Sequence, residues 1–310
     1  MSKVLFAAKP QAWDDYEHPL SDAFAKAGLS VDLSRSHAAA ETDYIVFAPN
    51  GPLRDFAPYV KAKAVLSLWA GVETIVGNPT LTQPLCRLVD PGLTRGMVEW
   101  VTGHVLRHHL GMDAHILGQD GIWRDGISPP LAAERPVTLL GIGALGAACG
   151  QALAALGFAV TGWSRQPKDV ANLRCLHGAD GLQEALRDAQ VVVTLLPQTA
   201  DTQNILNART LALLAKGAFV INPGRGPLID DEALLAALDS GQIAHATLDV
   251  FRREPLPVDH PFWAHPRVTV TPHIAATTRP ATAARIIAEN VRRGEAGLPF
   301  LNVVDRQLGY

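Results

Sequence analysis

The sequence predicts an α/β protein built from two doubly wound parallel-sheet domains, and three observations carry that expectation. Short apolar, strand-like runs alternate with amphipathic, Ala/Leu-rich helical stretches, the pattern that lays helices on both faces of a parallel sheet. The alternation breaks once, in an irregular piece over residues 118–135 that holds Gly121, Gly126, Pro129 and Pro130, and restarts at Pro136. The chain has 310 residues, 48% of them apolar, enough to bury two cores.

Each element follows from local chemistry. In the first alternation the apolar runs at 4–8, 44–48, 64–68 and 85–89 read as strands. A helical stretch at 20–27 closes on Gly28, whose missing side chain suits a left-handed cap. A long helix is expected over 94–110. After the break, strands are expected at 137–142, 158–163, 191–196, 218–222, 245–250 and 268–271. A helix at 231–238 opens on acids, which suit the positive end of its dipole, and stops at Ser240-Gly241. A last helix is expected over 281–293.

Bulk properties exclude several classes of function. The net charge of −3 supplies no basic field for nucleic acid. No apolar run reaches the ~18 residues of a membrane span. The first residues, Met1-Ser2-Lys3-Val4-Leu5-Phe6, read as a strand and not as a signal peptide. Cys86, Cys149 and Cys175 are few, odd in number and far apart, so a reduced, cytoplasmic protein is expected.

The stretch LLGIGALGAACGQALAALGFAVTGWSRQ (139–166) carries the first chemical signal. A lone G-x-G-x-x-G is weak, because it also serves as a packing turn. Here a strand runs straight into Gly141-Ile142-Gly143-Ala144-Leu145-Gly146 and a helix opens at once. Gly141 permits the tight turn, Gly143 lets a pyrophosphate approach the backbone, and Gly146 lets helix and sheet pack closely. The helix N-terminus offers N–H groups to the phosphates. The following strand ends at Trp163, expected beside the adenine, and is followed by Ser164-Arg165, where an NAD site usually carries an acid. A hydroxyl leaves room for a 2′-phosphate and a guanidinium can fork onto it, so NADP(H) is the expected cofactor, with NADPH preferred over NADH.

Three further stretches stand out: INPGRGPLIDDEALLAALDSGQIAHATLDVFRREPLP, HPRVTVTPHIAATTRP and LWAGVETI. With the glycine loop, they make the chain resemble the D-isomer-specific 2-hydroxyacid dehydrogenases, and their short glyoxylate/hydroxypyruvate reductase branch most of all. The resemblance implies a Rossmann NADP domain (96–281) inserted in a flavodoxin-like substrate domain (1–95 plus 282–310), with substrate and cofactor meeting between them. It implies reduction of a small 2-keto acid to the D-2-hydroxy acid. Such a reaction needs an anchor for the carboxylate and an acid for the developing oxyanion. Arg225, just past a strand end, fits the anchor. His273 fits the proton donor and Glu254 its partner acid, which favours the imidazolium. Ala70-Gly71-Val72 matches the family's carboxylate cradle. Asp249 matches its contact to the nicotinamide carboxamide, and Leu196, Pro197, Gly224 and His273 fall at the cofactor.

Other features are secondary. Trp69 stands where a small residue is expected, so it packs under the cradle or narrows the pocket. His104, His108 and His109 suggest a metal at first glance, yet no acid or cysteine joins them at ligand spacing, and a partly exposed helix face is expected. No metal is expected. Many family members are homodimers joined through the nucleotide domain and the irregular piece, so a homodimer is expected here. The alternatives are a reductase for a bulkier acid such as phenylpyruvate, a non-enzymatic NAD(H)-sensing protein like the family's co-repressors, and a phosphite or formate oxidiser.

Overall fold

The computed structural model describes residues 1–123, 125 and 128–309; Gly126 of the expected break lies outside the described residues, as do Arg124, Ile127 and Tyr310. The chain divides into two compact units, Met1–Leu93 with Thr277–Tyr310, and Thr94–Ala276.

The first unit begins with β1 (Ser2–Ala7), α1 (Trp13–Lys26), β2 (Val31–Ser34), β3 (Tyr44–Phe47), β4 (Ala64–Ser67) and β5 (Leu85–Cys86). The sheet order is β2-β1-β3-β4-β5, every pair parallel. This is a flavodoxin-like order. α1 starts seven residues earlier than expected and runs through Pro19. Tyr16, Leu20, Ala23 and Phe24 form a single buried stripe, and its packing outweighs the proline's missing N–H.

α2 (Pro91–His109) and α3 (Met112–Leu117) lead into the second sheet. It is built from β6 (Pro136–Leu140), α4 (Ala144–Ala155), β7 (Ala159–Ser164), β8 (Arg174–His177), α5 (Gly178–Leu186), β9 (Val191–Thr194), α6 (Ala208–Leu211), β10 (Ala218–Asn222), α7 (Asp231–Asp239), β11 (Ile243–Leu248), α8 (Pro261–Ala264) and β12 (Val268–Val270). Its order is β12-β11-β10-β9-β6-β7-β8, again parallel throughout. The order reverses between β6 and β9, the switch point at which such sheets bind ligands. α9 (Pro280–Glu295) then returns to the first unit. Ala283, Ala284, Ile287, Ala288 and Val291 share its core with Leu20 and Phe24. Among the described residues no helix is long and apolar enough to cross a membrane.

The histidines of α2 correct the expectation of a partly exposed face. His108 and His109 are buried, at 4% and 7% exposure. His108 stacks on Phe219 and its Nε2 lies 2.9 Å from Thr247 Oγ1. His109 meets Phe158 edge-on and accepts a hydrogen bond from Arg135 Nε at 3.0 Å. The imidazoles act as flat interior packing groups that keep a polar partner. Among the described residues no group of three or more His, Cys, Asp or Glu is placed to hold a metal.

Candidate active site

The glycine loop has the stereochemistry that its spacing requires. Gly141 sits at φ +102°, and a Cβ there would lie 2.6 Å from the Leu195 carbonyl oxygen. A Cβ on Gly146 would lie 1.8 Å from the Gly141 carbonyl oxygen, so only glycine lets α4 start this close to the sheet. A Cβ on Gly143 would meet nothing within 4 Å, which leaves open space on that side of the loop. Gly143 caps α4 with no side-chain hydrogen bond, so Ala144 and Leu145 begin a helix whose first N–H groups have no side-chain acceptor. Open space, donors and a helix N-terminus fit a pyrophosphate.

β7 brings Trp163, Ser164 and Arg165 to the same edge of the sheet. Trp163 is a core residue at 7% exposure, and its indole N–H donates to the Gly178 carbonyl at 2.8 Å. Ser164 is buried and donates to the Gln166 carbonyl at 2.8 Å. Arg165 is part-exposed and lies 3.3 Å from Asp201, a surface pair of small intrinsic worth. Its guanidinium and the small Ser164 fit a 2′-phosphate at the β7 end. After β9, Leu196 is buried and the Pro197 carbonyl accepts the Thr202 hydroxyl at 2.7 Å, which fixes that loop.

Arg225 is positioned by a buried network that sequence reasoning missed. Asn222, 1% exposed, ends β10. Its Oδ1 accepts the Thr194 hydroxyl at 2.6 Å and the Gly224 N–H at 3.1 Å, while its Nδ2 donates to the Arg225 carbonyl at 2.9 Å. The only signal in the sequence was a Thr and an Asn at neighbouring strand ends. A Cβ on Gly224 would meet the Thr194 carbonyl oxygen at 2.7 Å. A Cβ on Gly226 would lie 2.0 Å from the Phe251 carbonyl carbon. Gly226 thus seats the arginine loop directly on the backbone of the loop that carries Glu254.

Glu254 and His273 form a hydrogen-bonded pair, Oε2 to Nδ1 at 2.7 Å. The other carboxylate oxygen of Glu254 accepts the Phe251 N–H at 2.9 Å. The Glu254 hydrogen bond raises the pKa of His273 against the opposing effect of burial, with the charges of Glu254 and Asp249 adding to the rise and Arg225 working against it. Burial pushes Glu254 up, but the His273 hydrogen bond, the Phe251 N–H and the charges of His273 and Arg225 bring it below its usual value. The electrostatic reach of Arg225 to both groups puts all three in one neighbourhood. With Nδ1 engaged, Nε2 is the ring nitrogen left to meet a ligand.

Asp249 is wholly buried and organises the His273 segment. It accepts the Thr271 hydroxyl at 2.6 Å, the Ile274 N–H at 2.9 Å and the Ala275 N–H at 2.9 Å. Its own carbonyl accepts the His273 N–H at 2.8 Å. The carboxylate thus holds the His273 segment in place.

In the first unit, Ala70-Gly71-Val72 follows β4. Ser67 Oγ accepts the Trp69 N–H at 3.0 Å and fixes the turn, and Val72 anchors it in the core at 2% exposure. The N–H groups of Ala70, Gly71 and Val72 have no hydrogen-bond partner among the described residues. Three successive free donors suit an anion.

The family described as D-isomer specific 2-hydroxyacid dehydrogenase, NAD binding domain, matches residues 102–275. A glyoxylate/hydroxypyruvate reductase A from Serratia proteamaculans is 40% identical over 300 residues, covering 92% of this chain and 95% of that one. Among solved structures, a D-isomer specific 2-hydroxyacid dehydrogenase from Xanthobacter autotrophicus Py2, in complex with NADPH and MES, is 41% identical with a TM-score of 0.92, covering 100% of this chain and 99% of the other. An NADPH-dependent glyoxylate/hydroxypyruvate reductase from Sinorhizobium meliloti, in complex with NADP and sulfate, is 35% identical with a TM-score of 0.87 over the full length of both chains.

Proposed function

The chain belongs to the D-isomer specific 2-hydroxyacid dehydrogenase family and is an NADP-dependent enzyme of it, and on that premise we propose that it reduces a small 2-keto acid, glyoxylate or hydroxypyruvate, to the D-2-hydroxy acid. Bound NADPH supplies the hydride that the keto carbon accepts. The loop Gly141–Gly146 and the start of α4 hold its pyrophosphate, and Ser164 with Arg165 receives its 2′-phosphate. The Arg225 fork anchors the substrate carboxylate and polarises the adjacent carbonyl. In the first unit, the N–H groups of Ala70, Gly71 and Val72 offer a cradle for an anion of the carboxylate type. His273, charged because Glu254 holds its Nδ1, gives the Nε2 proton to the oxygen as negative charge develops there. The observation that carries this reading is the Glu254–His273 pair, held beside Arg225 by the close seat of Gly226.

The same reading makes the enzyme a cytoplasmic homodimer. Its three unpaired cysteines suit a reducing compartment, and an exposed apolar stretch after α2 suits a second copy. The test is consumption of NADPH and NADH against glyoxylate, hydroxypyruvate and phenylpyruvate. Arg225→Ala should lower kcat/KM on the order of a hundredfold, as expected for the loss of a bidentate charged contact. Arg165→Ala should weaken NADPH by about tenfold while sparing NADH. Equal weakening of both nucleotides removes the 2′-phosphate contact from the proposal. No turnover with any keto acid would favour the nucleotide-sensing alternative.

A further inference from the structure

The loop that carries Glu254 begins with an arginine that the proposed chemistry does not use. Arg252 Nη2 donates to Asn204 Oδ1 and to the Ile229 carbonyl, and Arg252 Nε lies 3.4 Å from Asp231 Oδ2. These partners belong to separate segments. Asn204 lies in the loop after β9, Ile229 ends the turn that follows Arg225, and Asp231 opens α7. The far end of the Glu254 loop returns to the same carboxylate, because His260 Nε2 stands 3.9 Å from Asp231 Oδ2. His260 Nδ1 accepts the Phe262 N–H at 3.3 Å, which leaves the ring proton on Nε2, facing the acid. Asp231 thus grips the loop on both sides of Glu254.

Asn204 is itself fixed to the arginine loop. Its N–H donates to the Pro227 carbonyl at 2.8 Å, and its own carbonyl accepts the Asn207 side-chain amide at 2.9 Å. A guanidinium presents a rigid fork of donors that can serve acceptors on several segments at once. The Arg252 side chain is 35% exposed, so its ion pair adds little to stability. Its consequence is positional. The Arg252 nitrogen belongs to the backbone on which Gly226 is seated. One residue away, the Phe251 N–H holds Glu254 Oε1 at 2.9 Å, and Glu254 Oε2 holds His273. We propose that Arg252 is a positioning residue of the reduction: by tying together the loops after β9, β10 and β11 it holds Glu254 against His273, without touching substrate or cofactor. The inference rests on the reading of Glu254 and His273 as the proton-donating pair.

The experiment is the pH profile of glyoxylate reduction by NADPH in Arg252→Met, Asn204→Gly, Arg253→Met, Glu254→Gln and the double variant Arg252→Met/Glu254→Gln. The charges that act on His273 are those of Glu254, Asp249 and Arg225. A cation that acted through its field alone would disfavour the imidazolium, so its removal would move the falling limb to higher pH. Loss of a clamp acts the other way. With Glu254 loosened, Arg252→Met should move the limb down by roughly 0.5–1 pH unit, as Glu254→Gln does, and lower kcat about tenfold. Asn204→Gly removes one acceptor without changing charge, and it suits a backbone at φ 52°, so it should move the limb the same way by less. Arg253 makes no side-chain hydrogen bond or ion pair among the described residues, so Arg253→Met removes an equal charge from the same loop and should leave the limb in place. In the double variant the limb should go no lower than in Glu254→Gln alone, because the carboxylate that the clamp serves is already gone. The position of the limb does not depend on how much of a preparation is folded, so partial misfolding does not imitate the effect. A limb unmoved or raised in Arg252→Met, an equal downward shift in Arg253→Met, or a further shift in the double variant overturns this inference and leaves the proposed function standing. A limb unmoved in Glu254→Gln also overturns it, since the clamp would then have nothing to act through. No reduction of any 2-keto acid by the native enzyme overturns the proposed function and this inference with it.

Discussion

His273 holds its backbone at φ 54°, the left-handed region that costs a non-glycine residue roughly 1–2 kcal/mol. The buried Asp249 is what keeps it there, through the Thr271 hydroxyl and two N–H groups of the next turn. The reward is a ring whose Nδ1 is held by Glu254 at 2.7 Å. Because the Glu254 hydrogen bond raises the pKa of His273, the imidazolium persists above the ordinary value of 6.5. The protonated ring is the form that reduction needs, so kcat/KM should be level at low pH and fall as pH rises through the raised pKa. Glu254→Gln removes the carboxylate that causes the rise, and the fall should then move to lower pH. A pH profile of reduction, taken where hydride transfer limits the rate, reads both limbs. A falling limb that stays put in Glu254→Gln would separate the pair from the proton transfer.

At the scale of elements, loop contacts set the site more than side-chain chemistry does. Gly226 lies so close to the Phe251–Arg252 backbone that Gly226→Ala must push the two loops apart. A shift of about 1 Å between reacting groups can cost on the order of a hundredfold in rate. The variant should therefore lose about that factor in kcat, with a smaller change in NADPH affinity measured by fluorescence; an unchanged kcat would show that the loops move independently. That contact was not legible in the sequence, where Gly226 was one more residue of a Gly/Pro turn. The glycine loop was legible because Gly141 and Gly146 each meet a steric demand that only glycine answers, and their spacing carries it. The central strands were legible because they are continuous apolar runs, Val191-Val192-Val193 above all. β2 and β8 were missed because they are edge strands with mixed sequences, Val-Asp-Leu-Ser and Arg-Cys-Leu-His, held by one neighbour each. His108 and His109, expected on a partly exposed helix face, were misjudged for one reason. An amphipathic ring satisfied by one hydrogen bond can be buried, and its sequence neighbours do not reveal which partner it will find.

At the scale of the whole molecule, each unit has its own core, and the second leaves an apolar surface uncovered after α2. Ile116 and Leu117 of α3 are 65% and 84% exposed, and Ile122, Trp123 and Leu131 follow at 65%, 89% and 73%. Single exposed apolar residues are ordinary, but five large ones within sixteen positions of the chain are a concentration that a second copy would cover. A stable homodimer buries about 800 Å² per partner, with apolar residues concentrated at its centre. Leu117 and Trp123 are the most exposed of the set, so they should anchor such an interface. Light scattering at micromolar concentration should give twice the monomer mass for the native chain. It should give the monomer mass for Leu117→Glu, whose carboxylate would be desolvated against a second copy. Because the side chain is exposed within the chain, the substitution should leave the thermal transition of the separated protomer within a few degrees. A native chain that is already monomeric, or a Leu117→Glu variant that stays dimeric, would move the contact away from this surface and leave the five side chains without an assembly role.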